Sequence, residues 1–387
     1  MTAIPIYRET TRAGERENFY VPHFKVKLAD RPLPENIVRD VLQVTYTDSV
    51  DEIDSFELTI NNWDAELGRF KYEPPSQPEH ANLFEPGKEL KLRMGYVKNL
   101  RLMLQGEITT LEPNFPESGG STLSIRGLNV LHRFRKKQHT WAWYDKRDSD
   151  IAKEIGQQRE SENRPGLHIE VRVGDQYTSL EEAEPFVFMN NQYDILFLLE
   201  RARRHNYALY LDVDGVTGDQ FLHFGPSERL REVTYELEWG KTLVQFRPTL
   251  TTANQISQVT VRGWNRRTRR PITATASLGS AGIEINRDQD AVAQAVQGRH
   301  EVITDRPIHT QREADALARN ILRQQLQEMI KASGATVGLP DLRSGRRLHI
   351  KNLGPRFDGV YFITKTTHTI GDGYRTTFDA RREGPLP

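Results

Sequence analysis

Four groups of residues in this chain have the types and spacing to do chemistry. Asp212-Val213-Asp214-Gly215-Val216-Thr217-Gly218-Asp219 places carboxylates as a calcium loop does. It lacks the closing glutamate, and Asp-Gly is a common hairpin signal, so the segment reads as a turn between two strands. Arg266-Arg267-Thr268-Arg269-Arg270 has the charge to hold phosphate. Its place after a strand ending near Trp264 makes it an exposed loop or hairpin, with docking of an acidic protein surface as the second reading. Trp141-Ala142-Trp143-Tyr144 offers a stacking platform for sugars or bases; an aromatic hinge packed between a β-module and a helical region is the structural alternative. The histidines, His132, His139, His205, His223, His300, His309, His349 and His368 among them, show no i,i+4 pairing for a metal.

Enzyme motifs are missing as well. The sequence has no Walker loop, no Gly-x-Gly-x-x-Gly, no His-Glu-x-x-His and no Gly-x-Ser-x-Gly. We therefore assign no catalytic, cofactor-binding or metal-binding residue and expect no enzyme. Lys plus Arg and Asp plus Glu are each 53, for a formal net charge of zero. No overall field favours nucleic acid or an anionic membrane, so protein partners are expected. The absence of cysteine removes disulfides, thiolate zinc sites and cysteine nucleophiles together and fits folding in a reducing cytoplasm. Nothing at the N-terminus reads as a secretory leader, and no apolar run is long enough to span a bilayer.

The elements follow from periodicity. Phe24–Leu28, Leu42–Thr47, Ser55–Ile60 and Thr122–Arg126 alternate apolar and polar residues, as strands with one wet face do. The proline-rich stretch from Glu73 to Pro86 interrupts them as a long loop. From about 141 the pattern turns to α+β. Ser149 is expected to cap a helix bearing Ile151 and Ile155, and a second helix is expected from near Asn191 through Ile195, Leu198, Leu199 and Ala202 to about Asn206. Tyr207–Leu211 and Phe221–Phe224 read as two further strands. Later, Thr310 and Glu313 form a capping box before Ala314, Leu317, Ile321, Leu322, Leu326, Met329 and Ile330, with Gly334 ending that pattern.

One pattern occurs twice. Gly87-Lys88-Glu89-Leu90-Lys91-Leu92-Arg93 is echoed by Gly345-Arg346-Arg347-Leu348-His349-Ile350-Lys351. Glycine-led strands follow at Gly106 and Gly359, and glycine-led turns stand fourteen residues further on, at Gly120 and Gly373. The chain therefore holds two related β-modules. The expected fold class is α+β, mainly β, with two tube-like β-barrel modules at 1–135 and 233–387 joined by an α+β region at 136–232. A helix near 310–333 is inserted into the second module.

In this order the parts resemble the phage late control D proteins, the baseplate hubs of contractile tails, and the N-terminal half of VgrG spikes. The resemblance runs through Leu42–Asn62 with Trp63-Asp64, through Gly87–Tyr96 with Gly106-Glu107-Ile108, and through Ser124–Asn129. It continues in Asp194–Leu198 with Arg201-Ala202 and Asn206, and in Thr310–Asn320. The proline-rich loop at 71–86 is longer than the family pattern, and no OB-fold or needle follows Pro387. A separate VgrG-like spike protein is therefore implied.

What the resemblance implies is structural work. A homotrimer of a two-module chain presents a pseudo-sixfold ring, which suits a joint between a sixfold inner tube and a threefold spike. The implied partners are the spike, the inner tube or its initiator, and other baseplate components, without membrane insertion or specific nucleic-acid binding. Such a chain is made in the bacterial cytoplasm and ends in the baseplate of a phage tail or tail-like injection particle. Two other classes remain: a tail-associated peptidoglycan hydrolase, and a carbohydrate-binding β-protein using Trp141 and Trp143. Interface residues are not assigned.

Overall fold

In the computed structural model the period-2 alternation of the first third becomes six strands. They are β1 (Pro22–Leu28), β2 (Val41–Ser49), β3 (Ser55–Asn61), β4 (Glu89–Tyr96), β5 (Asn99–Asn114) and β6 (Thr122–Asn129). The structure describes residues 4–5, 21–72, 83–97, 99–135, 137–161, 164–173, 181–213, 219–226, 233–253, 255–266, 268–278, 298–306, 308 and 310–382. The tip of the proline-rich loop, the turn at Asp214-Gly215, Arg267 and His309 lie outside the described residues. Alternate side chains such as Tyr46, Phe56, Leu58, Leu92 and Ile125 enter one core while their neighbours face solvent, which is what the alternation requires. The strands are paired in the order β1-β4-β5-β6-β3-β2.

The middle of the chain is α+β. An antiparallel ribbon of β7 (Gln138–Lys146) and β8 (Glu184–Tyr193) meets α1 (Asp148–Gln157), α2 (Asp194–Arg204) and the hairpin of β9 (Tyr207–Val213) and β10 (Gln220–Pro226). Trp143, Ile155, Phe197, Leu198 and Phe224 share its core. Both helices differ from expectation at their starts. Helix α1 begins at Asp148, with Ser149 inside the first turn, where its N–H donates to Glu181 Oε2 at 2.8 Å. Helix α2 begins at Asp194, because strand β8 runs on past Asn191 to Tyr193 and Asp194 turns inward to accept from the Gly166 N–H.

The last third contains β11 (Val233–Glu238), β12 (Leu243–Leu250), β13 (Gln258–Asn265), β14 (Arg270–Ser277), β15 (His300–Ile303), α3 (Gln311–Gln327), β16 (Ile330–Val337), β17 (Arg347–Lys351), β18 (Gly359–Ile370) and β19 (Tyr374–Arg382). Thr310 caps α3 as expected, its Oγ1 accepting from the Glu313 N–H at 3.1 Å. The helix ends at Gln327, short of the expected Gly334. Ile330 to Val337 instead form a strand, because the backbone there pairs on both sides, with β12 and with β19. The arginine cluster is the connection of the β13–β14 hairpin, where Asn265 pairs with Arg270.

The second set of six strands, β11, β12, β16, β17, β18 and β19, is paired in the order β11-β17-β18-β19-β16-β12. Counting strands along the chain, both sets follow the path first, fourth, fifth, sixth, third, second. One difference lies in the first pair, antiparallel between β1 and β4 and parallel between β11 and β17. The other is the insertion of β13, β14, β15 and α3 between the second and third strands, with its own core around Val259, Val261, Leu317 and Leu322.

The duplication extends to single hydrogen bonds. The Gly87 N–H donates to Ile108 O at 2.8 Å and the Ile108 N–H to Lys88 O at 2.9 Å; the Gly345 N–H donates to Ile363 O and the Ile363 N–H to Arg346 O, both at 2.9 Å. A β-bulge follows both isoleucines, skipping Thr109 in one set and Thr364 in the other. This frame corrects the glycine alignment: Ile108 matches Ile363, so Gly106 matches Tyr361 rather than Gly359. The equal spacing to Gly120 and Gly373 links unlike positions, since the pair Thr110–Arg126 closes a longer hairpin than Lys365–Asp379.

The two sets are not separate bodies. Strand β2 pairs with β18, Val44–Ser49 against Lys365–Ile370, and this ladder fuses both sets, with the two-residue strands Ile4–Pro5 and Arg31–Pro32 at its ends, into one fourteen-stranded sheet. The architecture is mainly β with few helices. Among the described residues neither path closes into a barrel by strand pairing, although the ends of the second meet at the Trp239–Leu243 bridge.

Equivalent glycines have unequal surroundings. Gly87 (φ 89°) and Gly345 (φ 79°) both occupy the left-handed region, but an added Cβ meets nothing within 4 Å at Gly87 and lies 2.4 Å from the Tyr210 ring at Gly345. Gly87→Ala is expected to cost about 1–2 kcal/mol, the backbone strain alone. Gly345→Ala should cost a further 1–3 kcal/mol, roughly, through displacement of Tyr210. Urea unfolding of the two variants checks the difference.

Candidate functional site

Alternation along β2 sends Val44, Tyr46 and Asp48 inward, and on β18 it sends Thr366, His368 and Ile370 inward. The ladder thus buries polar groups against each other where the two sets meet. Arg343, from the segment before β17, enters this space from the second set. Its Nε donates to Asp48 Oδ2 at 2.5 Å, and its Nη2 donates to the Tyr46 hydroxyl and, at 3.1 Å, to Met103 O. The guanidinium lies 4.7 Å from the centroid of the Tyr46 ring, so one side chain makes an ion pair, a cation–π contact and a backbone bond. Asp48 also accepts from the Ser344 N–H at 3.3 Å and from the Thr366 hydroxyl.

A second carboxyl faces the same space. Asp54 accepts from Asn129 Nδ2 at 2.9 Å and from the Tyr46 hydroxyl and the Ser49 N–H, both at 3.4 Å. Burial, and next the charge of Asp48, push its pKa up to about 7, against the pull of Arg343. His368 Nε2 is 2.9 Å from Leu342 O, which makes it the protonated nitrogen. Its Nδ1 accepts from the hydroxyls of Tyr374 at 3.0 Å and Thr376 at 3.1 Å. Burial pushes the imidazole down to about 4, so it is neutral near pH 7. For Arg343, burial alone would favour deprotonation, but Tyr46 and Asp48 outweigh it and hold the guanidinium charged.

Paired carboxyls with displaced pKa values are also what an acid–base catalyst needs. Access decides against that reading. Asp48 and Asp54 are 3% and 6% exposed. Two shallow concavities lie over the sheet, one lined by Ser333, Thr367, Arg375 and Thr377 and the other by Arg247, Thr249 and Lys331, and neither is lined by Asp48, Asp54 or Arg343. The cluster is a joint.

The other sequence candidates fall elsewhere. Trp143 is 4% exposed and stacks on Phe197 at 5.3 Å, which rules it out as a ligand platform and makes it part of the middle core. Trp141 packs beside that core with Arg164 over its ring. His139 is buried against Asp194 at 2.8 Å, His205 meets Asp148 at 2.7 Å and His300 meets Thr260 at 2.8 Å. Among the described residues no group of three or more histidines and carboxylates could hold a metal. Exposed aromatic surface lies on one face of the β7–β8 ribbon, at Tyr144, Phe186 and Phe188, and beyond the β5–β6 hairpin at Phe115 with Phe70. Of the joint residues only His368 was weighed from sequence, as one of the scattered histidines without a metal-ligand spacing. The signal was present in β2, where a carboxylate occupies an inward position of an otherwise apolar alternation.

The fold defines a class. Solved structures similar over nearly the full length include the 43 kDa tail protein of prophage MuSo2 from Shewanella oneidensis, at 13% identity and TM-score 0.65, covering 93% of this chain and 98% of that one. A tail protein from Neisseria meningitidis MC58 matches at 13% identity and TM-score 0.62, covering 94% and 98%. The E. coli c3393 protein, a type VI secretion system component, matches at 12% identity and TM-score 0.56, covering 93% and 77%. The chain thus has the fold of phage tail proteins. It belongs to the family described as Alg8 N-terminal domain, whose model matches residues 20–372. No curated protein matches it.

Removing one partner of the central pair should cost more than removing both. Arg343→Met leaves Asp48 buried without its cation and is expected to cost about 3–5 kcal/mol, whereas the double variant Arg343→Met/Asp48→Leu should recover most of that loss. Denaturant midpoints of the two single variants and the double variant give the coupling.

Proposed function

We propose that this chain is a structural baseplate hub subunit of a phage tail or contractile injection particle. In this reading it forms a trimer whose pseudo-sixfold ring joins a sixfold inner tube to a threefold spike. The observation that carries it is the duplicated six-strand path, matched down to the glycine clamp and the bulge. Three copies of such a chain offer six similar sheet surfaces, while the inserted α3 layer and the longer β5–β6 hairpin, each present in one set only, recur three times.

The fold shared with tail proteins supports the reading. So does the relative described as structurally similar to the T4 tail proteins gp27 and gp5. We take 1–135 and 233–387 as tube-like β-barrel modules, completed in the assembly, and 136–232 as the connecting region. The exposed aromatic faces suit contacts with protein partners: further copies, a separate VgrG-like spike and the inner tube. Trimerisation of this kind needs interfaces well above 1,000 Å², roughly, and it needs no chemistry. The chain would act in the baseplate after synthesis in the bacterial cytoplasm, as scaffold rather than enzyme.

Mass measurement on the purified chain, alone and mixed with its spike, is expected to give trimers or 3:3 complexes. Monomers under all conditions would sink the hub reading. Cell-wall turnover by the chain, lost on changing one carboxylate, would favour the hydrolase instead.

A further inference from the structure

Each six-strand set is held by an apolar core, which pH does not touch. The joint between the sets is built differently. Its strand pairing is the single ladder of β2 with β18, and behind that ladder stand an ion pair and a chain of hydrogen bonds. Apolar contact across it comes from Ile370 and Tyr374, which reach into the first core, and from Val50, which shares a small cluster with Phe362. Further bonds across it are polar too: Tyr96 to Gly338 O at 2.8 Å, and Arg101 to Asp341 at 3.2 Å.

Inside this joint two buried carboxyl groups face one guanidinium that is itself mostly buried. Charge balance in such a space is met by one proton. Asp48 holds the guanidinium directly, so the proton falls to Asp54. We propose that the joint is a proton-balanced seam: the closed seam keeps a proton on Asp54 and none on His368, and with His368 removed, loss of the Asp54 proton loosens the β2–β18 ladder while both six-strand sets stay folded.

The groups facing Asp54 are Tyr46 and Asp48 on β2 and Arg343 before β17, with Asn129 neutral; His368 on β18, bonded to Tyr374 on β19, faces Asp48 and Arg343. A closed seam holds the Asp54 proton up to about 7, whereas an open one releases it in the ordinary carboxylate range. Opening therefore grows as pH rises between those limits and levels off above them. His368 works in the opposite sense. The closed seam keeps it neutral down to about 4 while an open one protonates it near 6.5, so acid favours opening. Between these values the two groups largely offset each other in the natural chain, which holds the seam at nearly constant strength.

Hydrogen exchange on the full chain separates the two contributions. In His368→Gln, which keeps a donor for Leu342 O, the opening constant of the amides in 44–49 and 365–370 should rise about fiftyfold from about pH 5 to about pH 7. Amides in 56–60 and 259–261 should not follow. In Asp54→Asn/His368→Gln the rise should vanish. A flat profile in the single variant, or an unchanged rise in the double one, overturns the proposal. Should a variant fail to fold, infrared spectra of the natural chain decide. A protonated carboxyl band that persists at about pH 6.5, where ordinary carboxyls are ionised, and disappears by about pH 8 is expected, and its absence at the lower pH refutes the proton on Asp54.

Discussion

The ion pair between Arg343 and Asp48 is the contact on which the rest of the architecture depends. It brings a residue from the second strand set onto a buried residue of the first, and it orders Tyr46, Thr366 and Ser344 around it. Without the guanidinium the inward carboxylates of this seam would be unpaired charges. With it, one ladder of backbone bonds can fuse two sheets. Polar residues of this kind add little net stability compared with an apolar filling. What they add is a single permitted register, because one residue of slip between β2 and β18 would turn Asp48 and His368 out of the joint.

Duplication explains both the likeness and the differences of the two halves. The same six-strand path, the same clamp around Ile108 and Ile363 and the same bulge recur because a sheet of this path needs them at those points. Equivalent positions have then taken up different neighbours. Gly87 stands in open space, while Gly345 lies under the ring of Tyr210, whose hydroxyl donates to Gly345 O. The insertion in the second half is tied to the middle region by charge. Arg204 on α2 meets Glu313 on α3 at 3.6 Å, and Asn206 donates to Gln327 at 3.1 Å. The middle region is thereby held against the second set at both ends of α3.

Much of this was legible in the residues themselves. Alternation located the strands, the Thr310 capping box located the start of α3, Asp-Gly and the arginine cluster located hairpins, and the repeated glycine motif revealed the duplication. These signals are local, since they depend on which residues lie two, three or four apart. Where local signals competed with pairing, pairing won: Met329 and Ile330 continue a helical stripe by period, yet the backbone from Ile330 on lies between two strands and must satisfy its bonds there. Asn191 reads as a helix start, yet it lies within strand β8, at the bulge of the β7–β8 ribbon.

By itself the sequence determined the alternation of strands, the duplicated module, the lack of an enzyme motif and the neutral charge that points to protein partners. The seam was decided by the tertiary structure alone. Asp48 and Thr366 are more than three hundred residues apart, and so distant a pair leaves no periodicity for a linear reading to detect. Only when β2 meets β18 do two carboxylates, a guanidinium and a neutral imidazole come to share one dry space. Their charges matter there because water has been excluded, a condition that no single segment of the chain can create.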